Sequence, residues 1–79
     1  MINTDTEAIA GTVRGHAYDR VRRFSIALDY DFLESNIYTV CSTKRLRGLT
    51  PRELANVAIE RTLQGVRRLA HDTGAVNWL

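Results

Sequence analysis

The residues able to do covalent or metal chemistry are few and far apart. Cys41 is the lone cysteine, and His16 and His71 are the two histidines. A thiol and an imidazole act as nucleophile and base only in contact and with a third group orienting the base. The spacing of Cys41 and His16 supplies neither. Cys41 falls on an apolar stripe, where it is expected as a small buried hydrophobe. Asp29 and Asp31 are too few to hold a metal and serve better as helix-capping groups. His71-Asp72 falls in the last turn of an expected helix, where a histidine complements the dipole. The chain has no glycine-rich phosphate loop, no Cys-x-x-Cys and no His-Glu-x-x-His. It is therefore expected not to be an enzyme and to carry no cofactor and no metal.

The charge pattern is more informative. The net charge is +2, and every one of the eleven cations except Lys44 is an arginine. Arginine's planar fork matches phosphate and carboxylate better than lysine's ammonium does. One cluster holds Arg14, Arg20, Arg22 and Arg23, a second Lys44, Arg45, Arg47 and Arg52, and a third Arg61, Arg67 and Arg68. Acidic Asp29, Asp31 and Glu34 separate the first two.

Length and composition bound the rest. Seventy-nine residues are expected to form one domain over 1–79. A chain this short usually needs a disulfide, a metal or a partner, and the first two have no residues to make them, so a homodimer is expected. No apolar run approaches the roughly 20 residues of a membrane span. The N-terminal stretch lacks the basic start of a signal peptide, which points to the cytoplasm.

Four elements are expected to position these residues. A helix is predicted from Thr50 to His71, opened by a Thr50/Glu53 capping box with Pro51 at its first position. Its apolar face holds Leu54, Ala55, Ala58, Ile59, Thr62, Val66, Leu69 and Ala70, and Gly74 is a plausible stop. Residues 30–47 place Phe32, Leu33, Asn36, Ile37, Val40 and Cys41 in a helical stripe, although 37–43 is rich in strand formers. Helix is the favoured reading and a hairpin the alternative. In Arg23–Asp29, Phe24, Ile26 and Leu28 alternate with Ser25 and Ala27, the period of a half-buried strand. Residues 1–21, with a Thr4/Glu7 capping box, form a helix or a partly ordered arm; 22–72 form the core and 73–79 an apolar tail.

This mainly α order of strand, helix, Gly-containing turn and helix resembles the ribbon–helix–helix family of DNA-binding dimers. The residues that carry it are Arg23-Phe-Ser-Ile-Ala-Leu-Asp29 and Gly48-Leu-Thr-Pro-Arg-Glu-Leu54. The resemblance implies a two-stranded ribbon in the major groove, with Arg23, Ser25 and Ala27 facing bases and Phe24, Ile26 and Leu28 facing the core. It also implies that Gly48, Leu49 and Thr50 hold a phosphate at the second helix's N-terminus, with Arg52 beside them. The implied function is a small dimeric transcriptional regulator of repressor or antitoxin type. An α-β-β-α fold with a hairpin at 23–43 is the alternative. It goes with a module that occupies another protein's surface, in the manner of phage- or plasmid-type inhibitors, through Val76, Trp78 and Leu79.

Overall fold

The computed structural model describes residues 4–72, with side-chain detail over residues 5–65. Helix α1 spans Thr4–Arg23, α2 spans Tyr30–Ser42 and α3 spans Pro51–Asp72, with a single 3-10 turn at Lys44–Leu46 between the last two. Each helix packs against both others. No helix is long and apolar enough to cross a membrane among the described residues.

Two of the helices start on side-chain caps. Asp29 opens α2: its Oδ1 accepts the Phe32 N–H at 3.1 Å. At α3, Thr50 Oγ1 accepts the Glu53 N–H at 3.2 Å while Glu53 Oε1 accepts the Thr50 N–H at 3.1 Å. That reciprocal pair satisfies two donors that a helix start leaves unpartnered. Both caps are where the sequence places them, and the expected helix over 50–71 is present.

The core lies on the line where the three apolar stripes meet. Ala10, Val13, Ala17 and Val21 come from α1, Leu33, Ile37, Val40 and Cys41 from α2, and Leu54, Ala55, Ala58 and Ile59 from α3. Asn36 and Thr62 are buried among them. Asn36 Nδ2 donates to Thr62 Oγ1 at 3.0 Å, and that hydroxyl donates onward to the Ala58 carbonyl at 2.8 Å. A directional bond in an apolar seam fixes the register of α2 on α3, because sliding either helix would leave a buried polar group unpartnered. Phe32 adds a second registration point, packing on the backbone of Gly65 where any side chain would collide with its ring.

The expected strand is absent, and with it the ribbon–helix–helix-like dimer. Arg23 is the last residue of α1, and residues 24–29 form a turn and an irregular segment. The Ser25 N–H donates to the Arg22 carbonyl at 3.3 Å and the Ile26 N–H to the Val21 carbonyl at 3.0 Å. Those two bonds, with Ser25 at a φ of 50°, make a Schellman helix stop. A left-handed residue cannot belong to a pleated strand, so Arg23, Ser25 and Ala27 do not form one groove-reading edge. The alternation of Phe24, Ile26 and Leu28 is a side effect of the stop: Phe24 is exposed, while Ile26 and Leu28 fold back against the core. The alternative hairpin at 23–43 is also overturned, since Tyr30–Ser42 is one helix. The four-residue spacing of Val13, Ala17 and Val21 instead puts them on the buried stripe of α1, which ends at Arg23.

Candidate functional site

Three surface features could carry function. The first joins parts of the sequence nearly thirty residues apart. Arg20, Arg23 and Phe24 from the end of α1, with His16 and Asp19, meet Arg52, Ala55 and Asn56 from the first turns of α3 around a depression of about 140 Å³. Two residues expected to touch DNA, Arg23 and Arg52, therefore share one site. Arg20, Arg23 and Arg52 are all exposed. The Arg20 guanidinium lies 5.1 Å from the centre of the Phe24 ring, and that ring is 59% exposed. Arg23 Nη2 meets Asp19 Oδ2 at 2.9 Å, with side chains 67% and 58% exposed. An exposed pair of this kind is worth less than about 1 kcal/mol and does not withhold Arg23 from a stronger anion.

The N-terminus of α3 behaves differently from the phosphate cradle expected at Gly48, Leu49 and Thr50. The Leu49 N–H already donates to the Leu46 carbonyl at 3.1 Å, and the Thr50 N–H is taken by Glu53. Glu53 thus places its own carboxylate where a phosphate would sit. Gly48 is exposed beside this turn, and Leu49 is half-buried. Ser25 and Ala27 are exposed in the α1–α2 connection, outside the residues lining the depression.

The second feature is an apolar groove of about 500 Å³ on the other side of the α3 start. Ile9, Val40, Cys41, Leu46, Leu49 and Leu54 line it, with exposed Arg47 and Pro51 beside them. Ile9 is 40% exposed. Burial pushes the Cys41 thiol above its ordinary range, which disfavours the thiolate that a nucleophile needs. Cys41 lines the groove and His16 the depression, so neither feature brings the two together.

The third feature is a polar network between α1 and α2. Arg14 Nε meets Glu34 Oε1 at 2.7 Å and Arg14 Nη2 donates to the Tyr38 hydroxyl at 3.1 Å. The Tyr18 hydroxyl donates to the same Glu34 oxygen. The Arg14 guanidinium holds the Glu34 carboxyl below its usual range. Burial, then the bond to Glu34, pushes Tyr18 up to about 12. Every member has a partner inside the protein, so the network is a clamp between helices. Sequence reasoning missed it, although Arg14, Tyr18, Glu34 and Tyr38 fall at four-residue spacing on their two helices. The expected protein-binding residues Val76, Trp78 and Leu79 lie outside the described residues.

No family model, no curated protein and no solved structure matches the chain.

Proposed function

We propose that this chain is a small DNA-binding protein that grips the phosphate backbone through arginines gathered across the first turn of α3. The reading rests on one observation: Arg20 and Arg23 from α1 and Arg52 from α3 surround a single depression. Arg47, exposed on the groove side of Pro51, adds a fourth cation close by in sequence. Phosphate contacts position a protein without reading sequence, and the exposed Phe24 ring among the arginines suits a stacked, unpaired base. DNA stays as the partner, and the ribbon is dropped as the means. A regulatory role and a cytoplasmic location go with this reading.

Fluorescence anisotropy with labelled duplex and single-stranded oligonucleotides tests it. If Arg20, Arg23, Arg47 and Arg52 each neutralise one phosphate, log Kd should rise with log salt at a slope of about 3–4, so affinity falls roughly a hundredfold between about 0.05 and 0.2 M. Arg52→Ala should lower that slope by about one unit, evenly across sequences. Asp19→Asn should tighten binding modestly, because it removes a negative charge that would repel the phosphates beside Arg23. No binding at about 0.05 M salt, or binding indifferent to Arg20, Arg23 and Arg52, would overturn the reading. The module that docks on another protein, which has the apolar groove in its favour, would then stand ahead.

A further inference from the structure

We infer that the arginine depression between α1 and α3 seats the terminal phosphate of a single DNA strand, with the end base stacked on Phe24. The inference rests on the phosphate-gripping reading and adds to it a preference for strand ends. The lining side chains fall at helical spacing on two facing stripes: His16, Asp19, Arg20 and Arg23 on α1, Arg52 and Asn56 on α3. Ala55, buried in the core, forms the floor between them. Among the described residues neither Arg20 nor Arg52 is paired with a carboxylate, and Arg23 meets Asp19 at the surface.

Size and charge choose the occupant. At about 140 Å³ the depression is less than half the roughly 300 Å³ at which small-molecule sites begin. It therefore takes a projecting group and leaves the rest of its ligand outside. Three arginines against Asp19 give the lining a net charge of +2 with His16 neutral. A phosphodiester within a strand carries one negative charge, whereas a phosphomonoester at its end carries about 1.5 to 2 at neutral pH. The end group matches the lining more closely. It also presents three free oxygens to the forks of Arg20, Arg23 and Arg52, and it is tied to a sugar on one side alone. What stays outside is the end nucleoside, and Phe24 stands at the rim to receive its base. The Arg20 guanidinium lies over that ring, 5.1 Å from its centre, and the ring is 59% exposed, so a face is left open for stacking. In a duplex the end base stays paired and stacked on its neighbour, so a single strand fits the site better.

Competition reads the preference directly. Short oligothymidine strands carrying a 5′-phosphate, a 3′-phosphate or neither displace an internally labelled oligothymidine, followed by anisotropy. The better of the two phosphorylated ends should compete about fivefold to tenfold more tightly than the bare strand, the gain from one more charge held a few ångströms from a cationic site in water. Arg52→Ala, at an exposed position in the first turn of α3, should keep the helical circular dichroism. It should cut that gain to about twofold to threefold, since the net charge of the lining halves. Arg47→Ala, outside the depression, should weaken all three strands and keep the gain. Phe24→Leu should weaken the phosphorylated strand about fivefold or more by removing the stacking ring. Equal competition by all three strands would overturn the end preference and leave backbone binding in place, whereas no binding by any strand would overturn both. Inorganic phosphate or a phosphoserine peptide competing as well as the phosphorylated strand would also overturn the inference, because the base on Phe24 would then contribute nothing.

Discussion

Ser25 is the residue at which a helix stop and a strand make opposite demands. Its φ of 50° is left-handed, a conformation that costs an L-residue roughly 1–2 kcal/mol. Glycine removes that cost but brings back about 0.5–1 kcal/mol as extra freedom of the unfolded chain. Ser25→Gly should therefore stabilise the protein by about 0.5–1 kcal/mol. The side chain is exposed, so no packing is lost and the backbone effect stands alone. About 1 kcal/mol moves the melting temperature by roughly 4–8 °C in a domain of this size. Ser25→Val should move it the other way, since a β-branched residue at positive φ is a genuine outlier. In a strand the order reverses: valine is favoured there and glycine weakens it, on a scale spanning about 1 kcal/mol. Thermal and urea melts of wild type, Ser25→Gly and Ser25→Val decide the matter. If the valine variant is more stable than the glycine variant, residues 24–26 do not form the helix stop.

Gly65 and Gly15 make a second contrast. A Cβ on Gly15 meets nothing within 4 Å, whereas one on Gly65 would lie 2.4 Å from the Phe32 ring. Gly15→Ala should gain about 1 kcal/mol of helix propensity, while Gly65→Ala should lose up to about 2 kcal/mol net, because displacing the ring costs about 1–3 against the same gain; in a Phe32→Ala background the Gly65 effect should turn stabilising in the same melts. The Arg14–Glu34–Tyr18 clamp sets the pH limits. Glu34 titrates lower when folded, so its contribution is complete above the ordinary carboxylate value and fades as pH falls through the folded one. Tyr18 titrates higher, so its contribution holds below about 10 and is lost as pH rises towards about 12. Melting temperature against pH should flatten on the acid side in Glu34→Gln and on the alkaline side in Tyr18→Phe; an unchanged profile in either variant would show that the clamp does not form.

Much of the fold was legible because α2 and α3 declare themselves at both local and global levels. Capping residues and apolar period agree over Asp29–Cys41 and Thr50–Thr62, and the buried residues there match the expected stripes except at Phe32, which is half-buried. Residues 23–29 misled because a helix stop also places apolar residues two apart. In a Schellman stop the residue after the left-handed one folds back on the last turn, so Ile26 returns to the core as a strand residue would. Glycine in place of Ser25 would have signalled a stop; serine, a rare occupant of left-handed backbone, concealed it.

The arginine site was half legible. Composition singled out the 14–23 and 44–52 clusters, but whether they meet depends on how α1 lies on α3. The stripe Ala10, Val13, Ala17, Val21 settles that, since it turns His16, Arg20 and Arg23 towards Arg52 while Arg14 faces α2 and is spent on Glu34. One cluster is thus divided by helical period into a structural arginine, Arg14, and two that line the depression, Arg20 and Arg23. The same division applies to the start of α3. Glu53 fills the anion position on the helix axis, so an incoming phosphate is directed to Arg52 and the end of α1. On this geometry the capping carboxylate competes with a helix-end phosphate and leaves the arginine depression open. Glu53→Gln should therefore cost stability before it changes any anion binding.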